Sequence, residues 1–379
     1  MKKIIAKTKL RNYPVIIESG ILLGESSRAG TILKKIFPGS EKVVLVTDEK
    51  VLSLYKHKID GLLSSTDKEH KIVTFPDGEK SKNLSCTKII YRKLLDFNIH
   101  RNDLIIAFGG GVIGDLTGFA ASTFHRGIKL LHIPTTIISQ VDSSIGGKVV
   151  VNLNSFKNII GSFYQPHAVI IDLALLSTLK EKEIINGLAE VLKYGIVFDK
   201  KIIELINIIL KKIDQNSEKI LFELIRNKKF EEIIYRCCKI KTEVVYKDEF
   251  DTGLRNLLNF GHTFGHAIEK ATELEEISHG EAVAIGMILA IDLSIKLRLS
   301  GQEIKDEIIK LYKALKLQHE LPWIDPDLIL AAIKFDKKFT SKQNRFILLK
   351  ALNRPLFYCN IDEKIIRQSI EENMSHKKD

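Results

Sequence analysis

Four polar residues recur in a largely apolar stretch of the chain: Arg255, Asn259, His262 and His266, spaced four, three and four. On an α-helix these spacings bring all four onto one stripe. Burying such a stripe is costly without partners. The flanking Leu257, Leu258 and Phe260 argue against wide exposure, so the stripe reads as a site rather than a solvated face. Gly261 and Gly265 lie four apart on a neighbouring face. A glycine costs about 1 kcal/mol in a helix interior relative to alanine, so two of them point to close approach by another element. Glu190 and Lys193 stand one helical turn apart inside Gly187–Gly195, and His279-Gly280-Glu281 opens another apolar helix. Alone, Glu190 and Lys193 would read as a surface ion pair. With two imidazoles, however, a carboxylate makes a common three-ligand set for catalytic zinc. Chemistry leaves open which two of His262, His266 and His279 would ligate, because histidines at i and i+4 also chelate.

A second kind of chemistry is written in glycine. The apolar run Leu104–Phe108 enters Gly109-Gly110-Gly111-Val112-Ile113-Gly114-Asp115, and a helical pattern follows over Leu116–Ser122. Glycines let backbone N–H groups approach a phosphate, and a helix N-terminus favours an anion. The GxGxxG pattern departs from the dinucleotide fingerprint, because it is not on the first strand–helix turn and no acidic strand end follows about 20 residues later. A further loop holds Ile133-Pro134-Thr135-Thr136 and Gln140–Lys148. It is no Walker loop, yet Lys148, with Lys157 and Asn158 nearby, offers cations suited to phosphate or carboxylate.

Elements must position these groups. Lys2–Leu10 and Val15–Glu18 read as a hairpin. The runs at Val43–Asp48, Ile72–Phe75, Leu104–Phe108 and Val169–Asp172 are continuous and apolar, as strands of a parallel sheet buried on both faces should be. Helical patterns such as Cys86–Phe97 alternate with them, which argues for βαβ units. Beyond Leu179 the stretches Glu183–Val197, Lys201–Ile213, Ser217–Arg226, Phe230–Val245, Leu254–Glu273, Glu281–Leu297 and Glu303–Leu315 carry apolar residues at helical spacing. The expected architecture is an α/β nucleotide-binding domain over residues 1–178, Rossmann-like with variations. An all-helical domain over 179–379 follows it, carrying the metal and substrate groups.

Composition narrows the class. With 45% hydrophobic and 28% charged residues, the 379-residue chain is not intrinsically disordered. No apolar run nears the roughly 20 residues of a membrane span. Lys2, Lys3 and Lys7 interrupt what would be the apolar core of a leader, so a cytoplasmic setting is expected. Cys86, Cys237, Cys238 and Cys359 form no CxxC pair, so neither a disulfide scaffold nor a thiolate zinc site is expected. The net charge is +11, but only 12 of the 58 basic residues are arginine and the lysines are scattered. That reads as a solvated surface rather than a nucleic-acid footprint, and it suits an anionic substrate.

Taken together, GGGVIGDLTGFAASTFHRG, IPTT, QVDSSIGGK, KNIIGSFYQP, GLAEVLKYG, GLRNLLNFGHTFGHAIE and HGEAVAIGM resemble the 3-dehydroquinate synthase family of sugar-phosphate cyclases. The resemblance implies catalytic NAD and a divalent metal, Zn2+ or Co2+, held by Glu190, His262 and His279. It implies catalytic roles for His266, Lys148, Lys193, Arg255, Asn259 and Asp251. Substrate contacts are implied at Arg126, Asp142, Lys157, Asn158, Lys241 and a lysine of the pair Lys337, Lys338. The NAD set it implies is Asp48, Asp77, Gly78, Glu79, Lys80, Lys82, Gly110, Gly111, Val112, Ile113, Gly114, Asp115, Thr135, Thr136, Lys148, Lys157, Leu175, Leu176, Ser177 and Thr178. Three positions depart from the family pattern: Asp251 replaces a glutamate, Phe156 replaces a glycine, and Val149-Val150-Val151 follows Lys148.

The implied reaction turns the keto-acid phosphate DAHP into 3-dehydroquinate and phosphate, in the shikimate pathway of aromatic amino acid biosynthesis. NAD is reduced and reoxidised within one turnover. The implied partner is a small anionic sugar phosphate, with no nucleic acid or membrane, and the implied assembly is a homodimer. Two alternatives share the motifs in part: a metal-dependent polyol or glycerol dehydrogenase, which makes a net redox change, and a cyclase for another sugar phosphate.

Overall fold

The apolar runs do become one sheet. In this computed structural model, which describes residues 1–22, 28–154, 156–214, 217–272, 277–334 and 345–375, the first strands are β1 (Lys2–Ala6), β2 (Tyr13–Ile17), β3 (Lys42–Asp48), β4 (Glu69–Phe75), β5 (Leu104–Gly109) and β6 (Lys129–Pro134). A separate hairpin, β7 (Lys148–Leu153) and β8 (Phe156–Phe163), precedes β9 (Ala168–Ile171). Seven strands are ordered β1-β2-β9-β6-β5-β3-β4. β1 and β2 pair antiparallel, Lys2 opposite Ile17, and every other neighbouring pair is parallel.

The core follows from the strand period of two. Val43 and Leu45 with Leu104 and Ile106 face one layer, where Leu33 of α1 (Arg28–Ile36) and Tyr55, Ile59 and Leu62 of α2 (Glu49–Ser64) pack. Val44 and Val46 with Ile105 and Ala107 face the other, against Ile90 and Leu94 of α3 (Leu84–Asp96) and Leu116 and Ala120 of α4 (Gly111–Thr123). Helices on both faces explain why these strands read as unbroken apolar runs. Strand order reverses between β3 and β5: β4 lies outside β3, while β5, β6 and β9 follow on the other side. In open α/β sheets, ligands bind at the carboxyl ends of the strands at such a switch point.

The chain forms two compact units, Met1–Leu179 with Cys237–Phe250, and Lys180–Arg236 with Asp251–Asp379. A single boundary near residue 178 therefore omits one return of the chain. The second unit holds α5 (Glu181–Val197), α6 (Lys201–Leu210), α7 (Ile220–Arg226) and the start of α8 (Phe230–Lys247), whose residues from Cys237 onward count with the first unit. It continues with α9 (His262–Ala271), α10 (His279–Lys296), α11 (Gln302–Ala314) and α12 (Pro326–Lys334). β10 (Arg345–Ala351), β11 (Arg354–Cys359) and α13 (Glu363–Glu372) end it. The unit is helix-rich rather than all-helical, because β10 and β11 pair as an antiparallel hairpin turning at Asn353, whose φ is +61°.

The second difference concerns the polar stripe. It is not one helix. A 3-10 segment covers Leu254–Asn259, the chain breaks at Phe260, and α9 begins at His262 after Gly261 in the left-handed region at φ +79°. Glycine alone enters that region without a side-chain penalty. Gly261 and Gly265 do mark close approach, as their spacing implied: a Cβ on Gly261 would lie 2.5 Å from Met287 Cγ, and one on Gly265 3.2 Å from the Ala282 carbonyl oxygen. The approaching element is α10.

Candidate active site

In the first unit, the glycine motif sits at the switch point. Gly109 ends β5, Gly110 is the N-cap of α4 and Gly111 begins it, with no side chain capping the helix. The first amides of α4, over Gly111, Val112 and Ile113, are thus left for an anion, which the helix N-terminus favours. Gly114 and Asp115 complete the first turns. The Thr135 N–H donates to the Gly109 carbonyl at 3.0 Å, and a Cβ on Gly110 would lie 3.3 Å from the Thr136 methyl, so both threonines line this turn. Asp48 at the end of β3 caps α2, accepting from the Val51 N–H at 2.7 Å. Burial raises its carboxyl pKa above the usual range.

A connected network stands next to Asp115. Lys82 Nζ is 2.6 Å from Asp115 Oδ2 and donates to Asn158 Oδ1 at 2.6 Å. The Asn158 N–H donates to Asn152 Oδ1 at 2.8 Å, and Asn152 Nδ2 donates to Glu79 Oε1 at 2.7 Å. Burial raises the Asp115 carboxyl to about 6, against the opposing pull of Lys82. Lys241 Nζ lies 2.5 Å from Asp142 Oδ1. Glu79, Lys82, Asp115 and Asn158 are thus one assembly, and Asp142 with Lys241 is another.

Other expected residues are placed less tightly. Asp77, Gly78 and Lys80 are exposed in the turn after β4, with Gly78 at φ +103°. Leu175, Leu176, Ser177 and Thr178 form part of a 3-10 segment held by Tyr55, whose hydroxyl donates to the Leu175 carbonyl at 2.5 Å and meets the Thr178 hydroxyl. Lys148 opens β7 and Lys157 lies on β8, both exposed.

Arg126 is set apart from the glycine turn. It follows the far end of α4 at φ +60° and lines a cavity of about 230 Å³ with Arg11, Arg101, Lys129 and His167. Lys129 begins β6 and Arg101 precedes β5, so this cavity lies at the amino ends of the strands, opposite Gly110. Burial, with the charges of Arg11 and Lys129, pushes the His167 imidazole down to about 3.

In the second unit, Glu190 and Lys193 lie on α5, both buried, and Lys193 Nζ pairs with Glu190 Oε2. The other carboxylate oxygen, Glu190 Oε1, is buried and accepts no hydrogen bond. It faces His262 Nε2 at 3.5 Å and His279 Nε2 at 3.8 Å. Ligand atoms of Glu190, His262 and His279 all lie within 4.8 Å of one another. A buried carboxylate oxygen without a donor is costly, and a cation held between it and the two imidazole nitrogens would offset that cost. The donor set of one carboxylate and two imidazoles suits zinc or cobalt. The residues fit a metal.

Local sequence explains the convergence. Ser278 caps α10: its N–H donates to Glu281 Oε2 at 2.8 Å, and its hydroxyl donates to Asn186 Oδ1 on α5 at 2.6 Å. This Ser-His-Gly-Glu run is a capping box. It places His279 as the first helical residue and spends Glu281 on the cap rather than on chemistry. A Cβ on Gly280 would lie 2.3 Å from the Asn186 Cα, so only glycine lets α5 and α10 come this close. His266 is exposed one turn beyond His262, their ring centroids 5.5 Å apart, and lies 6.3 Å from the His279 ring. Arg255 is buried, Asn259 half-buried, and Asp251 stands at φ +59°. Lys337 and Lys338 lie outside the described residues.

Sequence reasoning passed over two neighbours. Glu269, on α9, accepts from His279 Nδ1 at 3.2 Å. Its signal was present: it continues the His262, His266 spacing by three. Tyr312 is buried on α11, and burial, with the Glu190 charge second, holds its phenol far above the ordinary range. An isolated tyrosine in an amphipathic helix gives no such signal.

Comparison with known proteins places this geometry in a family. Residues 72–186 match the family described as 3-dehydroquinate synthase N-terminal, and residues 187–339 that described as 3-dehydroquinate synthase C-terminal. The 3-dehydroquinate synthase of Clostridium beijerinckii is 40% identical over 350 residues, 92% of this chain and 95% of its own. Among solved structures, the 2-epi-5-epi-valiolone synthase ValA from Streptomyces hygroscopicus subsp. jinggangensis, with NAD+ and Zn2+ bound, superposes with a TM-score of 0.83 at 25% identity, covering 97% of this chain and 98% of that one. A 2-deoxy-scyllo-inosose synthase complexed with carbaglucose-6-phosphate, NAD+ and Co2+ superposes with a TM-score of 0.82 at 25% identity, covering 98% of this chain and all of that one. With both halves of the family matched in sequence order and relatives that align almost end to end, the chain belongs to the 3-dehydroquinate synthase family.

Proposed function

We propose that the two groups of residues serve the family's reaction, in which DAHP loses phosphate and closes to 3-dehydroquinate, and that each has a separable role. The observation that carries this reading is Glu190 Oε1, buried without a hydrogen bond and faced by two imidazole nitrogens. Held by Glu190, His262 and His279, a zinc or cobalt ion supplies Lewis acidity that makes a substrate hydroxyl easier to deprotonate. NAD, seated at the Gly110–Asp115 turn, supplies a transient hydride acceptor that ends each turnover unchanged.

The chain's own residues do the rest. Lys193 fixes the Glu190 carboxylate in one orientation and balances its charge. His266, exposed beside the metal group, carries the hydroxyl proton away, a task suited to imidazole near neutral pH. Lys82, joined to Asp115 and Asn158, holds the nucleotide turn and the start of the β8 loop in one arrangement. Asp142 is oriented by Lys241, while Lys148, Lys157, Asn158, Arg255 and Asn259 supply cations and donors to the carboxylate, phosphate and hydroxyls of the substrate. Lys337 and Lys338 are further phosphate or carboxylate contacts in this reading, and Asp251 takes a positioning role near Arg255; Arg126, at the opposite ends of the strands from the glycine turn, is given no contact in it.

Among the described residues, no helix is long and apolar enough to cross a membrane. We assign the chain to the cytoplasm and to a homodimer as part of the same proposal. The dehydrogenase alternative is not favoured, because both halves of the chain match the synthase family. The test is incubation of purified, metal-loaded protein with DAHP and NAD, following phosphate and NADH together. The expected result is phosphate release without stoichiometric NADH. Steady NADH from a simple polyol, with no phosphate from DAHP, would overturn the assignment.

A further inference from the structure

His279 is the first residue of α10, and its side chain is 41% exposed. An imidazole so placed has rotamers and two tautomers open to it, and only one arrangement serves a metal. His262 is fixed by backbone. Its Nδ1 lies 3.2 Å from the Phe260 carbonyl oxygen across the left-handed Gly261 turn, so Nδ1 carries the proton and Nε2 offers its lone pair toward Glu190. His279 has no such carbonyl within hydrogen-bond distance of its ring among the described contacts. It has Glu269 instead: Nδ1 to Oε1 is 3.2 Å, while Nε2 on the far side of the ring faces Glu190 Oε1 at 3.8 Å.

Glu269 reaches this position because α9 presents His262, His266 and Glu269 at spacings of four and three, along one stripe. Its side chain is 15% exposed, so the contact is only partly screened by water. We propose that Glu269 is a positioning residue that fixes the ring orientation and tautomer of His279 for metal binding; this rests on the metal reading of Glu190, His262 and His279. A carboxylate that takes the second N–H of a metal-bound imidazole raises its basicity as well as orienting it, and losing such a partner typically costs about 10- to 100-fold in metal affinity. Glu269 touches no reacting atom, so its effect should appear in the metal site before it appears in turnover.

The experiment uses the full chain stripped of metal and reloaded with Co2+, comparing Glu269→Ala, Glu269→Gln and His279→Ala with the unaltered protein. The readouts are cobalt affinity by chelator competition, the visible cobalt spectrum, and thermal unfolding of the metal-free form. Glu269→Ala should lower affinity about 10- to 100-fold and shift the spectrum, with metal-free unfolding close to that of the unaltered protein. Glu269→Gln, whose amide oxygen can still accept from Nδ1, should recover most of the affinity and a near-normal spectrum. Loss of affinity in His279→Ala but not in Glu269→Ala, with an unchanged spectrum, would overturn the proposal alone. Unchanged affinity in both would overturn the metal reading and the proposal with it. Should Glu269→Ala not fold, Glu269→Leu, which fills the space without an acceptor for Nδ1, carries the test: an affinity loss of about 10-fold or more with a shifted spectrum supports the role, and identity with the unaltered protein rejects it.

Discussion

Replacing Gly286 with alanine tests whether the metal group depends on how closely two helices touch. A Cβ at position 286 on α10 would lie 2.2 Å from the Gly261 carbonyl oxygen and 2.8 Å from the Gly265 backbone nitrogen. Both are backbone atoms at the start of α9, and neither can swing aside as a side chain would. Ordinary carbon contacts begin near 3.3 Å, so the helices must part by on the order of 1 Å. Overpacking of this kind costs about 1–3 kcal/mol. Gly261 immediately precedes His262, so the displaced segment carries a ligand, whereas metal ligands tolerate only about 0.2 Å of error. If binding must draw α9 back against that strain, affinity should fall about 5- to 150-fold, at tenfold per 1.4 kcal/mol. The assay is chelator competition for zinc, with thermal unfolding of metal-free and metal-loaded protein. Gly39→Ala serves as the control, because nothing lies within 4 Å of a Cβ there. A Gly286→Ala protein with normal stability and normal zinc affinity would refute the reasoning.

Three further outcomes are expected. His262→Ala should lose metal, whereas His266→Ala should keep it and lose rate; equal metal loss in both, measured by metal content after dialysis, would mean that the ligands are wrongly assigned. Lys148→Ala should cut turnover by at least tenfold, since a fixed cation beside a dry anion is hard for water to replace, while a triple substitution of the exposed Lys211, Lys212 and Lys228 should leave kcat/KM within about twofold, because exposed charges are screened. Burial lowers the His132 pKa from the ordinary 6.5 to about 4, so the unfolded chain binds that proton first as pH falls. His132 therefore contributes stability above pH 6.5 that is lost progressively between 6.5 and 4, up to about 3 kcal/mol in all. His132→Gln should unfold with a shallower pH dependence across that window, and an identical slope would exclude the residue as the cause.

What was legible in the sequence was chemistry that depends on local spacing. The Gly109–Asp115 turn could be read because a strand, a glycine run and a helix must follow in that order to expose amides, and they do. Glu190 and His279 could be read because each occupies a short motif on its own helix. The stripe from Arg255 to His266 was read as one helix because helical period alone cannot see a positive φ at Gly261. The hairpin of β10 and β11 was missed because Phe346 to Leu349 is a short run of consecutive apolar residues after a helical region, which periodicity alone cannot tell from a buried helix segment. The distance between Arg126 and the glycine turn was hidden for another reason. Only ten residues lie between Asp115 and Arg126 in sequence, yet α4 runs between them and carries the two toward opposite ends of the strands.

The return of Cys237–Phe250 to the first unit has a consequence for synthesis. That short segment brings Lys241 to Asp142, and it brings Glu249 to Gln165 Nε2 at 2.8 Å and to the Lys9 N–H at 2.6 Å. These are contacts across 84 to 240 residues of chain, and such closures are slow to form. As the ribosome emits the chain from its N-terminus, the sheet and its helices are complete by residue 179, but the partners of Lys9, Asp142 and Gln165 are not yet made. For the seventy or so residues that follow, the nascent first unit waits without those contacts, while residues 180–236, less than a third of the second unit, emerge. A circular permutation that opens the chain ahead of α8 would have the segment made before the sheet that receives it, and so would remove that wait.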